Sequence, residues 1–136
     1  MDRVPIVALD HVGLVASTGE HRLLRLLEDE LQSERSMPSG VVVGRFGPAL
    51  MLELVRPGQP GTPVDRFLER RGPGLHHIAL QVGCPVTVAL ERLGELGFVA
   101  AGGIEPSSDG RASAFLHPSS VDGILVELVE GPRPRL

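Results

Sequence analysis

The 136-residue chain has no tryptophan, no tyrosine and only four phenylalanines, so it offers no aromatic platform on which nucleobases could stack. Its single cysteine, Cys84, excludes an intramolecular disulfide and fits a reducing compartment. No apolar run reaches the roughly 18 residues of a membrane span. The opening "MDRVPIVALDHVG" also has no charged segment followed by a long apolar one, so a cytoplasmic protein without membrane partners is expected. Positive charge is scarce as well. The thirteen basic residues are arginines scattered along the sequence, the formal net charge is −4, and nucleic acid is not an expected partner.

Apolar material is plentiful, with 42% hydrophobic residues and a mean hydropathy of +0.12. A chain of this length buries about two-thirds of its unfolded surface, enough for one domain spanning residues 1–136 around a core of Leu and Val.

An internal repeat is the most informative feature. Leu9-Asp10-His11-Val12-Gly13-Leu14-Val15 is matched by Leu75-His76-His77-Ile78-Ala79-Leu80-Gln81-Val82: apolar, polar, His, β-branched, small, Leu. Downstream, Leu50-Met51-Leu52-Glu53-Leu54-Val55 is matched by Ile124-Leu125-Val126-Glu127-Leu128-Val129, each an apolar strand holding one Glu. Between the His strand and the Glu strand of each half lies a helical pattern. Leu23, Leu24, Leu27 and Leu31 form an apolar stripe in "GEHRLLRLLEDELQ", and Val86, Leu90 and Leu93 form one in "PVTVALERLGELG". Each half then returns through a hairpin, with turns expected near Gly47-Pro48 and between Pro118 and Gly123. The chain therefore reads as two fused βαβββ modules of an α+β fold, residues 1–58 and 74–136. Linker 59–73 carries a short helix that Thr62 caps, Pro63 and Asp65 begin and Gly72 ends.

Chemistry enters through strand alternation. Met51, Glu53 and Val55 share one face, as do Leu125, Glu127 and Val129, so each carboxylate lies mid-strand among apolar neighbours where an uncompensated charge is costly. Two Glu and two His at equivalent repeat positions make four candidate metal ligands: His11, Glu53, His77 and Glu127. Imidazole with carboxylate suits a divalent transition metal, and four protein ligands leave two octahedral positions open. His76 faces away from His77 and reads as structural or supporting, His21 and His117 as surface residues, with His117 near enough to a turn to line a pocket. Arg45, Arg56 and Arg111 are each a candidate for meeting an anionic substrate group or for a purely structural place.

The stretches "LDHVGLVA", "FLERRGPGLHHIALQV" and "FLHPSSVDGILVELVE" resemble the methylmalonyl-CoA epimerase family of the vicinal oxygen chelate superfamily, over nearly the whole chain. The resemblance implies a curved mixed-sheet cup around one divalent metal (Co, Mn, Ni or Zn) held by His11, Glu53, His77 and Glu127. It also implies an acyl-CoA substrate and a homodimer. The activity implied is α-proton transfer on methylmalonyl-CoA or a similar thioester through a metal-stabilised enolate, with Glu53 and Glu127 as the candidate bases on opposite faces. A glyoxalase I-like lyase or specialised-metabolite enzyme, and a metal-free small-molecule binding or resistance protein, are the alternatives on the same fold. Two departures bear on mechanism. The position of a carboxylate proposed as a base in some epimerases is Val43 here, and a Lys common after "HP" is Ser119.

Overall fold

The computed structural model describes residues 3–47 and 51–132. The elements, in chain order, are β1 (Ile6–Val15), α1 (Arg22–Leu27), β2 (Glu30–Ser36), β3 (Val41–Gly47), β4 (Leu52–Pro57), α2 (Pro63–Arg71), β5 (Gly74–Val82), α3 (Val86–Glu95), β6 (Ala100–Pro106), β7 (Ala112–Leu116) and β8 (Val126–Glu130), with a 3-10 turn at Pro118–Ser120. The order is strand, helix and three strands, twice, as the repeat predicts. The expected turn at Gly47-Pro48 extends outside the described residues. Among those described, no helix is long and apolar enough to cross a membrane.

The chain divides into two compact units, His11–His76 and the combination of Met1–Asp10 with His77–Leu136. In the first, the strand order is β2-β3-β4-β1, with β1 parallel to β4 and the other pairs antiparallel. In the second it is β5-β8-β7-β6, with β5 parallel to β8.

Alternation along the strands sorts side chains in the same way in both units. In the first, Leu14, Phe46, Leu52 and Leu54 pack with Leu24 of α1. The opposite face carries Val15, Val41, Val43 and Val55, covered by Val64, Phe67 and Leu68 of α2. In the second, Val82, Ala114, Leu116, Val126 and Leu128 pack against Val86 and Ala89 of α3, with Leu90 and Leu93 beside them. Leu and Val dominate these clusters, as the lack of aromatics requires.

The linker helix forms as its sequence predicts. Thr62 Oγ1 accepts from the Asp65 amide at 3.1 Å, Pro63 occupies the first turn, and Gly72 ends the helix at φ 72°. The first module helix is shorter than its leucine stripe predicts. Glu28 takes a left-handed conformation (φ 55°) that closes α1 after Leu27, and Leu31 lies instead in β2, paired with Phe46. The leucine spacing continued past the true helix end because an exposed edge strand follows it within three residues. All seven residues of β2 are exposed, and Glu30, Glu34 and Arg35 put charge on that edge.

Burial decides the expected response to truncation. Leu128 is 1% exposed and Leu26 is 78% exposed. Leu128→Ala should lower unfolding free energy by about 2–5 kcal/mol, whereas Leu26→Ala should stay within about 0.5 kcal/mol. Denaturant titration of both variants measures the contrast.

Candidate functional site

Each unit holds one buried His–Glu pair, and the two pairs are built in one register. In the first, Gly13 of β1 lies opposite Glu53 of β4, and His11 stands two residues before Gly13. In the second, Ala79 of β5 lies opposite Glu127 of β8, and His77 stands two residues before Ala79. Parallel pairing with that offset turns both side chains to one face. His11 Nε2 is 3.2 Å from Glu53 Oε2, and His77 Nε2 is 3.5 Å from Glu127 Oε1. All four residues are buried. Each pair presents one imidazole nitrogen and one carboxylate oxygen, donor types that a divalent transition metal takes.

The third strand of each unit supplies a different neighbour. Arg45 of β3 lies directly opposite Glu53, with its NH1 3.6 Å from Glu53 Oε2. The equivalent place opposite Glu127 is Phe115 of β7, whose ring meets the His77 imidazole edge to face at a centroid distance of 5.5 Å. Val43 lies one step along the first face, opposite Val55 and buried in the valine cluster under α2. No carboxylate stands there.

The other histidines have local duties. His21 caps α1 by accepting from the Leu23 amide through Nδ1 at 3.1 Å. His117 is exposed, and its Nδ1 accepts from the Ser119 amide at 3.1 Å, holding the 3-10 turn. His76 packs its ring on Phe67 of α2, centroids 5.1 Å apart. His76 has a structural contact and His117 is exposed, both as expected, whereas His21, expected at the surface, is partly buried.

Sequence reasoning passed over Asp10 and left Arg111 open to a substrate. Asp10 is buried at 1% exposure in the second unit, beside Gln81 and Arg111. Arg111 NH1 reaches Asp10 Oδ1 and NH2 reaches Asp10 Oδ2, each at 2.9 Å, while Gln81 Nε2 donates to Oδ1 at 2.9 Å. Asp109 takes Arg111 Nε at 3.0 Å and NH2 at 2.8 Å, and is itself held by Ser107 Oγ at 2.6 Å. Burial alone would lower the Arg111 pKa. The hydrogen bonds and charges of Asp109 and Asp10 outweigh it and hold the guanidinium above its ordinary value, fully charged. The signal available in sequence was an Asp in an apolar strand immediately before a candidate ligand, since a buried carboxylate requires a partner.

No family model matches the chain. The uncharacterized protein YqjC of Bacillus subtilis (strain 168) is 32% identical over 131 residues, 90% of this chain and 91% of that protein. The ethylmalonyl-CoA/methylmalonyl-CoA epimerase of Cereibacter sphaeroides is 38% identical over 84 residues, 60% of this chain and 62% of that protein. Among solved structures, the methylmalonyl-CoA epimerase from Mycobacterium tuberculosis superposes with a TM-score of 0.82 at 26% identity, covering 95% of this chain and 90% of that one.

The Asp10–Arg111 pair has a direct thermodynamic consequence. Arg111→Met leaves a buried carboxylate without its main partner and should lower stability by about 3–5 kcal/mol. Adding Asp10→Asn should recover part of that loss. A double-mutant denaturation cycle reads the coupling, and simple additivity of the two losses would contradict it.

Proposed function

We propose that the chain is a member of the methylmalonyl-CoA epimerase family of the vicinal oxygen chelate superfamily, a reading supported by its similarity to the Cereibacter sphaeroides epimerase and to the Mycobacterium tuberculosis epimerase structure, and that it epimerises methylmalonyl-CoA or a similar acyl thioester. In this reading His11, Glu53, His77 and Glu127 ligate one divalent metal ion, of the Co, Mn, Ni or Zn class. The observation that carries the reading is the repeated register, in which each module sets a buried His two residues before the strand partner of a buried Glu. The donor chemistry fits such an ion. Two carboxylates on apolar strand faces require positive charge nearby, and neutral imidazole with carboxylate suits first-row divalent metals. When bound, the ion supplies a Lewis acid for the negative charge that develops on the thioester oxygen as the α-proton leaves.

The remaining chemistry falls to the chain's own groups. Epimerisation needs a proton taken from one face of the α-carbon and returned to the other. Glu53 and Glu127 are the proposed acceptor and donor, one from each module. Val43 cannot serve, and His117 is held in a turn by Ser119. A homodimer in the cytoplasm belongs to the same proposal. Ile6, Val7 and Leu9 are each about half exposed or more, an apolar stretch of the kind a second copy covers.

The metal-loaded protein should exchange the α-proton of methylmalonyl-CoA with deuterated solvent and interconvert its epimers. Activity on the glutathione adduct of methylglyoxal should be lower, and the reverse ranking would favour the glyoxalase I-like alternative. Protein purified from metal-supplemented medium without a stoichiometric ion would favour the metal-free binding protein.

Substitution of the ligands separates binding from proton transfer. Glu127→Gln keeps an oxygen donor and should retain part of the metal, yet lose epimerisation by about 100- to 10,000-fold, because an amide accepts no proton. His77→Ala should strip the metal while His76→Ala leaves it bound, with metal content as the readout. Full activity of metal-loaded Glu53→Gln and Glu127→Gln would remove both carboxylates from the proton path.

A further inference from the structure

We infer that Arg45 recognises a carboxylate on the acyl group of the substrate and so selects carboxyl-bearing acyl thioesters over neutral ones. The inference rests on the proposed thioester epimerase reading and adds to it the residue that sets the substrate class.

Three arginines were open to this role from sequence, and the structure separates them. Arg56 is partly buried, and its NH2 is 3.5 Å from Glu34 Oε2. Arg111 is committed to Asp10 and Asp109 through short hydrogen bonds. Arg45 alone stands on the strand face of a His–Glu pair. Its guanidinium is 3.6 Å from the same Glu53 oxygen that His11 approaches at 3.2 Å, and its side chain is 10% exposed. The neighbouring positions on that face are Val43 and Val55. A cation beside the ligand pair, on a face otherwise lined by valine, is placed for the acyl end of a thioester rather than for its distant carrier.

Charge balance points the same way. Two ligand carboxylates and one divalent cation sum to zero, with both imidazoles neutral. A substrate carboxylate brings one further negative charge, while the α-proton, passed to Glu53 or Glu127, stays within the site and leaves that sum unchanged, in a buried setting where unbalanced charge is expensive. Arg45 supplies the missing positive charge, and a planar guanidinium matches a carboxylate through two parallel hydrogen bonds. The repeat provides an internal contrast. The position equivalent to Arg45 in the second module is Phe115, so recognition of the anion is assigned to one module only.

The test compares malonyl-CoA with propionyl-CoA, which share the carrier and differ in the carboxylate, by calorimetric binding to the metal-loaded protein. Wild type should prefer malonyl-CoA. Arg45→Gln should weaken malonyl-CoA by about 10- to 100-fold, the scale of a charged hydrogen bond, and leave propionyl-CoA within twofold. Arg45→Lys keeps the charge without the fork and should fall between the two, which also covers the case in which Arg45→Gln does not fold. Metal content should be unchanged in both variants. Equal loss on the two esters would overturn the inference and assign Arg45 to the carrier or to support of Glu53, and so would an unchanged preference for malonyl-CoA. Solvent exchange of the methylmalonyl-CoA α-proton by wild type, measured alongside, isolates the other premise. Its absence sinks the epimerase reading while carboxylate discrimination through Arg45 still stands, and its presence with unaltered discrimination sinks the inference alone.

Discussion

The structure turns on two carboxylates buried mid-strand, Glu53 and Glu127. A charge in such a place is tolerated only beside compensating groups, and strand geometry dictates where those groups must be. Because successive side chains alternate, the residues that fill the helix-covered cores, Leu52 and Leu54 around Glu53 and Val126 and Leu128 around Glu127, force each Glu to the opposite face. A slip of one residue in either parallel pair would turn the Glu into leucine-rich core and the leucines out. The register is thus held from both sides, by apolar packing on one face and by the His–Glu contact on the other.

Duplication explains why two such arrangements exist, but not why they differ. The ligand positions match: His11 with His77, and Glu53 with Glu127, in identical offsets. The third-strand positions do not. Arg45 corresponds to Phe115, and Val43 to Ser113, each read from its antiparallel partner on the Glu strand. The linker helix α2 covers the valine end of the first module's ligand face through Val64, Phe67 and Leu68. On the proposed reading, matched His–Glu pairs with unmatched neighbours suit a symmetric coordination set serving an asymmetric substrate, whose carboxylate and thioester need different surroundings.

Much of this was legible in the sequence because it rests on periodicity. The repeat, the strand faces of Glu53 and Glu127, the apolar stripe of α3 and the caps of α2 follow from spacing, and each depends on contacts between residues close in sequence or equivalent in the repeat. What escaped depends on distant partners. Asp10 finds Arg111 and Gln81 across 101 and 71 positions, and no local pattern reports such a pairing. Leu31 misled for the opposite reason, since its spacing fits a helix while the left-handed Glu28 had already ended it. The three candidate arginines were indistinguishable from spacing alone, because what separates them is the identity of the acid each one meets.

The valine at position 43 sharpens the question of how a proton is moved. It is packed among Val15, Val41, Val55 and Val64, so it is a formed part of the apolar cluster rather than a gap where a carboxylate has been lost. With valine there, the proposed proton acceptor has to come from elsewhere on the face. Proceeding along β3 from Val43, the next residue on that face is Arg45, which cannot accept a proton at all. On the proposed reading His11 is a ligand, which among the described residues of that face leaves Glu53 as the carboxylate that can take the proton. His11 Nε2 and Glu53 Oε2 lie 3.2 Å apart. His77 Nε2 and Glu127 Oε1 lie 3.5 Å apart. On the proposed reading, coordination and proton transfer therefore meet on the same two buried carboxylates, Glu53 and Glu127, with His11 and His77 serving as ligands.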